Sequence, residues 1–200
     1  MEAVRIIEGT MLPLMRSHID TDQIIPKQFL KRVERTGFGP FLFYDWAYDH
    51  EGETRPDFIL NQAAYRDARV LIAGNNFGSG SSREHAPWAL LDWGFRAIVA
   101  PSFADIFRNN SHKNGLLPII LGETEVERLA ALAADPTAEA VIDVAAETLT
   151  AGGHTYGFSL DPFVKHCLLN GLDDIAITLE SESDITTFET TRPGFKPSLA

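Results

Sequence analysis

The middle of the chain alternates short apolar runs with amphipathic segments, and this alternation limits the possible folds more than any other feature. The apolar runs are typical of buried β-strands, and the amphipathic segments are typical of helices that cover them. The pattern predicts strands at residues 68–73, 97–100 and 116–121 and helices at residues 82–93, 102–110 and 123–134. An alternation of this kind indicates an α/β core that contains parallel strands.

The flanking segments differ from this core in pattern. Residues 1–26 predict strands joined by a polar loop, and residues 141–158 predict a hairpin, suited to a second sheet, that turns at Ala151-Gly152-Gly153. Residues 161–188 predict two or three helices. Residues 27–57 are rich in Gly, Pro and aromatic side chains and predict a short helix followed by a long, partly mobile loop. We expect one domain over residues 1–190 and a loose tail over residues 191–200.

Composition narrows the class of protein. The chain has 200 residues, of which 44% are hydrophobic and 22% charged, which fits one globular domain. Acidic residues outnumber basic ones by 28 to 17, and the net charge of -11 disfavours nucleic acid and anionic membranes as partners. The sequence has no apolar run of about 18 residues and no basic-then-apolar start, so we expect a cytoplasmic protein.

The cysteine content bears on metal binding. Cys167 is the only cysteine, so the chain forms no internal disulfide and does not supply the thiolates of an iron–sulfur cluster by itself. The neighbouring His166 adds one further ligand, which is too few for a structural zinc site. We therefore expect no metal or other cofactor to be bound by this chain.

The segment richest in chemical groups lies between the first core strand and its helix. Residues 74–85 (GNNFGSGSSREH) place glycines, hydroxyls and an arginine where backbone N–H groups at a helix start attract anions. Arg83 replaces the third glycine that a dinucleotide fingerprint needs, and the Gly-Lys pair of a P-loop is missing. The segment therefore predicts carboxylate or phosphate binding. A plain turn, with Ser82 capping the helix and Arg83 facing water, remains the simpler alternative.

Residues 78–85 (GSGSSREH) resemble the signature of the swivelling domain of the aconitase superfamily. Further matches follow in chain order at Asp20-Thr21-Asp22, at residues 97–104 and at residues 114–118. The resemblance implies an α/β fold in the form of a three-layer swivelling β/β/α domain, as in the aconitase C-terminal domain, with extra C-terminal helices.

Within that superfamily the chain is similar to the bacterial 3-isopropylmalate dehydratase small subunits, through residues 27–31, 35–39 and 161–169. This resemblance implies a hydro-lyase subunit that interconverts 2-isopropylmalate and 3-isopropylmalate through isopropylmaleate in leucine biosynthesis. It also implies a heterodimer with a large subunit that carries a 4Fe–4S cluster. Two alternatives stay open: a related dehydratase acting on homoaconitate, citraconate or a methylmalate, and a non-catalytic carboxylate-binding module.

The resemblance also assigns residue roles. Ser81 matches the serine that removes the substrate proton, and Arg83 would clamp a substrate carboxylate. Gly80 and Ser82 would contact the substrate as well. The expected supporting residues are Asp22, near the site, and Glu84 and His85, in the loop.

Specificity is expected to arise between residues 27 and 39. In aconitases the equivalent loop brings an arginine to the substrate, but here the loop differs in length, so neither Lys31, Arg32 nor Arg35 can be matched to it securely. Lys31 and Arg32 are therefore expected only to contact the substrate. An isopropyl group would favour apolar neighbours such as Phe29, Leu30 or Phe38, at about 0.8 kcal/mol per buried methylene.

Overall fold

The computed structural model describes residues 1–31 and 36–192, and its central feature is a seven-stranded mixed sheet. The strands are β1 (Ile6–Leu14), β2 (Val70–Ala73), β3 (Ala97–Ala100), β4 (Leu117–Ile120), β5 (Glu139–Asp143), β6 (Thr148–Ala151) and β7 (His154–Gly157). Their order across the sheet is β4-β3-β2-β1-β5-β6-β7.

The strands β1 to β4 run parallel to one another and are covered on both faces. Along β2, Val70 and Ile72 enter one hydrophobic core, while Leu71 and Ala73 enter the other. Strands covered on both sides need apolar residues at every position rather than at alternate ones. The unbroken apolar runs in the sequence therefore reflect their place at the centre of the molecule.

Helices pack on both sides of these parallel strands. The α-helices of the described residues as a whole are α1 (Thr21–Ile24), α2 (Tyr44–Ala47), α3 (His85–Trp93), α4 (Asp105–Asn114), α5 (Glu123–Leu132), α6 (Pro162–Asn170), α7 (Asp174–Leu179) and α8 (Glu182–Thr191). Side chains of α3 and α4 enter one core, and those of α5 enter the other. The three helices α6 to α8 confirm the helical C-terminal region that the sequence predicts.

The strands β5, β6 and β7 form an antiparallel extension that joins the parallel part through β1. Gly152 and Gly153 turn the predicted hairpin with φ angles of 55° and 77°, which glycine adopts at little cost. Ile142 and Leu149 share one core with β2 and α5. The sheet is therefore curled, and the hairpin extends the same sheet rather than a separate one. The predicted α/β fold class is confirmed.

Two local predictions are wrong. The second strand predicted within residues 1–26 is the helical turn α1, because Asp20 accepts a hydrogen bond from Gln23 N (2.8 Å) while Gln23 Oε1 accepts one from Asp20 N (2.9 Å). This reciprocal capping box stabilises a helix start. Residues 27–57 begin with a short helical turn, as predicted, but their described part after it is more structured than the predicted long loop. They contain α2 and 3₁₀ turns, and Phe43 is completely buried among them.

Some predictions fall outside the described residues. Those on residues 32–35, including Arg32, and those on residues 193–200 of the expected tail are among them. The single-domain division and the mobility of the 27–57 segment stay predictions. Within residues 1–31 and 36–192, no helix is long and apolar enough to cross a membrane.

Candidate active site

Three loops meet at the carboxyl edge of the parallel strands, where α/β sheets usually bind their ligands. They follow β1, β2 and β3, and their backbones continue to pair beyond the strands. His18 N donates to Asn75 O at 2.7 Å, and Phe77 N donates to Ser102 O at 3.1 Å. The loop after β2, residues 74–84, is thus held on both sides by its neighbours. We call it the signature loop.

Packing against α4 fixes the first half of the signature loop. Gly78 has φ of 77°, and a Cβ at this position would overlap the ring of Phe107 in α4. Phe77 makes edge contacts with Phe103 and with Phe107, at centroid distances of 6.2 and 5.3 Å. The loop therefore requires glycine at position 78 both for its backbone angle and for the close approach of α4.

The helix after the signature loop begins at His85, not at Ser82 as the sequence predicts. In a helix that started at Ser82, the carbonyl of Ser81 would accept the first helical N–H group. Here that carbonyl accepts a hydrogen bond from Thr21 Oγ1 at 2.8 Å instead. Glu84 is the residue that precedes the first helical residue, so Ser82 does not cap the helix, and both serines remain in the exposed part of the loop.

Arg83 leaves the signature loop toward the segment after β1. Its Nη1 atom donates to Asp22 Oδ1 at 2.6 Å and to the carbonyl of Ile25 at 3.3 Å. The side chain of Arg83 is only 14% exposed, whereas that of Asp22 is 53% exposed. The structure thus brings together the predicted clamp and the predicted supporting aspartate. Within the described chain the Nε and Nη2 donors of Arg83 have no partner, so they can receive an oxyanion.

The exposed stretch of the signature loop also offers backbone donors. The N–H groups of Gly80, Ser81 and Ser82 bond to no other group of the described chain. Asn110 Nδ2 of α4 lies 3.5 Å from Ser82 Oγ. Successive free N–H groups beside a guanidinium make a concave anion site. The arrangement can bind a carboxylate and stabilise negative charge on a nearby oxygen.

Glu84 and His85 take different positions at the start of α3. Glu84 is exposed, whereas the ring of His85 packs edge-on against that of Phe38 at 5.3 Å and is tilted against that of Trp88 at 4.9 Å. Burial lowers the pKa of His85, and the Arg83 charge lowers it further against the opposing effect of Glu84. His85 therefore buttresses the segment that contains Phe38.

The expected specificity residues begin at Phe29, four residues after Ile25, whose carbonyl Arg83 contacts. Phe29 is half-buried, with its ring stacked on that of Phe41 at 4.2 Å. Leu30 is also half-buried, and Lys31 is exposed. Phe38 is completely buried, so its interpretation as an apolar contact for the substrate is wrong. Phe38 therefore stabilises the fold by burial.

The metal-binding capacity of the chain follows from its donor groups. Within residues 1–31 and 36–192, no group of three or more His, Cys, Asp and Glu side chains could hold a metal ion. Cys167 is buried in α6, and burial raises the pKa of its thiol. These residues do not fit an iron–sulfur cluster, whose ligands are mainly cysteine thiolates.

Two contacts at the site escape sequence reasoning. Thr21 lies between two aspartates that attract attention as charged groups, and only the fold shows that its hydroxyl reaches Ser81 O. Asn110 belongs to a helix 28 residues after Ser82 in sequence, so only the packing of α4 on the loop reveals its position. Three of the motifs that match the family lie near the ends of parallel strands. Their positions were the sequence signal that could have indicated these contacts.

Family comparisons agree with this geometry. The model of the aconitase C-terminal domain matches residues 1–124, and that of the C-terminal domain of 3-isopropylmalate dehydratase small subunits matches residues 174–200. A crystal structure of 3-isopropylmalate dehydratase from Methanocaldococcus jannaschii has the same fold, with a TM-score of 0.67 and 24% identity. The match covers 91% of this chain and 98% of that one.

Relatives named 3-isopropylmalate dehydratase small subunit match along the whole chain. That of a Parafrankia species is 52% identical and covers all of both chains. That of Brevibacillus brevis is 54% identical over 92% of this chain and 96% of its own, and that of Leptospira interrogans is 52% identical over 100% and 98%. This chain therefore belongs to the family of 3-isopropylmalate dehydratase small subunits.

Proposed function

We propose that this chain is the small subunit of a hydro-lyase that interconverts 2-isopropylmalate and 3-isopropylmalate through isopropylmaleate in leucine biosynthesis. The names of full-length relatives support this proposal. The observation that carries it is the geometry of the signature loop, in which Ser81 is exposed beside free N–H groups and next to Arg83, itself held by Asp22.

Ser81 is the base in this proposal. The reaction removes a proton from the carbon next to the one that loses its hydroxyl, and Ser81 Oγ would accept that proton and return it during rehydration. A serine hydroxyl is a very weak acid, so its alkoxide form requires a strongly positive surrounding. The free N–H groups of the signature loop and the guanidinium of Arg83 supply such a potential without reorganisation.

Arg83 binds a substrate carboxylate in this proposal. Asp22 and Ile25 occupy only Nη1, so Nε and Nη2 can form the two parallel hydrogen bonds of a bidentate pair. Asp22 then fixes the plane of the guanidinium. The N–H groups of Gly80 and Ser82, and the Ser82 hydroxyl, would complete the contacts with the substrate.

Substrate preference is proposed to depend on Phe29 and Leu30, with Lys31 and Arg32 as further contacts of the substrate. The chain runs from the Ile25 carbonyl, which contacts Arg83, through Pro26 into the 3₁₀ turn Lys27–Phe29. This short connection supports a role for the turn near the carboxylate clamp. Half-buried apolar side chains there favour contact with an isopropyl group over contact with a polar substituent.

The proposal includes a large partner subunit and a cytoplasmic location. Proton removal is only half of the reaction, and the loss of the hydroxyl requires an electrophile. In this proposal that electrophile is a 4Fe–4S cluster held by the large subunit. The C-terminal helices support a partner, because Ile175, Leu179 and Phe188 are more than half exposed. Large apolar side chains that are this exposed are consistent with a contact between chains.

The test is hydration of isopropylmaleate, followed through the loss of its alkene absorbance under anaerobic conditions. The samples are this chain, a cluster-loaded large subunit, and the mixture of both. We expect turnover only in the mixture, and its loss in the Ser81→Ala variant. A stable complex without turnover would instead indicate a related dicarboxylate substrate. Absence of any complex, together with carboxylate binding by the isolated chain, would contradict the proposal in favour of a binding module.

A further inference from the structure

We infer that Thr21 is a positioning residue whose hydroxyl sets the orientation of Ser81 for proton removal. The inference rests on the proposed function, since it concerns the same site. Thr21 is only 2% exposed, so its side chain faces the signature loop and does not contact solvent or substrate. Its role would be to act through Ser81.

Thr21 holds the signature loop at two points. Its backbone N donates to Ser79 O at 2.9 Å, and its Oγ1 donates to Ser81 O at 2.8 Å. The two carbonyls lie on either side of Gly80. One residue thus fixes the peptide group that precedes Gly80 and the peptide group that follows Ser81, on either side of the glycine and the proposed base.

Gly80 shows why two points are needed. Its φ is 90°, and a Cβ there would meet Thr21 Oγ1 only at an ordinary contact distance of 3.5 Å. The position therefore needs glycine for its backbone angle rather than for space. Glycine gives the backbone its widest freedom, so the Ser79 contact alone would leave Ser81 free to rotate about Gly80. The Thr21 hydroxyl removes that freedom.

Thr21 is itself rigidly placed. It begins α1, whose start is fixed by the reciprocal hydrogen bonds between Asp20 and Gln23 and whose Ile24 is completely buried. The next residue, Asp22, holds Arg83. Consecutive residues of one helical turn therefore position the proposed base and the proposed carboxylate clamp.

The experiment compares Thr21→Val, Thr21→Ser and wild type, each assembled with the cluster-loaded large subunit. Valine keeps the volume and removes the hydroxyl, whereas serine keeps the hydroxyl. Because sub-ångström misplacement of a reacting group is costly, we expect Thr21→Val to lower kcat by roughly 10- to 100-fold with KM changed by less than about threefold. Thr21→Ser should recover kcat to within about threefold of wild type.

A substrate deuterated at the carbon that loses its proton gives a second readout. If Ser81 is misplaced, proton removal becomes slower relative to the other steps, and the isotope effect on kcat rises in Thr21→Val. The matched control is Thr150→Val, which removes an exposed hydroxyl bonded to Thr155 at 3.1 Å on the antiparallel side of the sheet. We expect this control to behave as wild type.

The outcomes separate the two proposals. Wild type without turnover would overturn the proposed function and this inference together. Active wild type with an unchanged Thr21→Val, with a change in KM alone, or with equal losses for valine and serine would overturn this inference only. Complex formation and thermal unfolding check the fold of each variant. If Thr21→Val does not assemble, Thr21→Ala removes the same hydroxyl without added bulk. A kcat of Thr21→Ala well below that of Thr21→Ser would then support this inference, and equal values would overturn it.

Discussion

The buried histidine of α4 leads to a prediction about stability at acidic pH. His112 is 7% exposed, and its Nε2 atom has no hydrogen-bond partner within the described residues. It borders a cavity of about 210 Å³ that is also lined by Phe163, Cys167 and Leu172. Burial is the main cause that lowers its pKa to about 4. The charge of Arg108 lowers it further, and that of Asp161 opposes the change.

The sign and size follow from proton linkage. With an ordinary pKa of 6.5 in the unfolded chain and about 4 in the folded one, His112 binds a proton more readily after unfolding. Its effect on stability is absent above pH 6.5 and grows as the pH falls toward 4. At 1.36 kcal/mol per pKa unit, the full loss of unfolding free energy is about 3 kcal/mol. About 2 kcal/mol of this is lost between pH 7 and pH 5.

The assay is urea unfolding at pH 7, 6 and 5, followed by tryptophan fluorescence, for wild type and His112→Leu. Leucine fits the apolar surroundings and does not titrate, so we expect the unfolding free energy of the variant to fall by about 2 kcal/mol less than that of wild type between pH 7 and 5. His50→Gln, which removes an exposed histidine, serves as control and should follow wild type. The same pH dependence in His112→Leu and wild type would refute the reasoning.

Three further predictions concern the site and its support. Gly78→Ala should lower the unfolding free energy by about 2 kcal/mol more than Gly153→Ala, measured by urea unfolding, because both have φ of 77° but only the first would overlap Phe107; equal losses would contradict this. Arg83→Lys should raise KM at least tenfold in the assembled enzyme, since an ammonium cannot form the bidentate pair; an unchanged KM would exclude the clamp. Phe29→Ala should reduce the kcat/KM preference for isopropylmalate over methyl-substituted malates by roughly tenfold, and an unchanged ratio would remove Phe29 from the specificity residues.

The core of the fold could be predicted because burial on both faces of its strands directly produces their unbroken apolar sequences. Strand β3 has the predicted bounds, and β2 and β4 lie within one or two residues of theirs. Each is covered on both faces, so its residues are apolar regardless of the details of packing. The turn at Gly152 and Gly153 was equally readable, because few other residues adopt two successive positive φ angles.

The start of α3 could not be predicted, because it depends on a contact distant in sequence. Ser82 is a good helix cap by residue type, and nothing local prevents it from starting the helix. The competing contact comes from Thr21, 60 residues before Ser81. In the same way, no local pattern distinguishes Phe38, which is buried, from Phe29, which is partly accessible.

These failures of local prediction coincide with the candidate site for a physical reason. A helix that began at Ser82 would bond the Ser81 carbonyl to its own backbone and give Ser82 a helical conformation, although its first N–H groups would stay unpaired as at any helix start. The Ser81 carbonyl is bonded to Thr21 instead, Ser81 and Ser82 lie outside the helix, and their N–H groups have no partner within residues 1–31 and 36–192. Donors that are fixed by the fold and left unpaired are already oriented toward a developing negative charge. The later start of α3 therefore leaves Ser81 and Ser82 together on an exposed loop that can receive an oxyanion, and Thr21 is bonded to that loop at the Ser81 carbonyl.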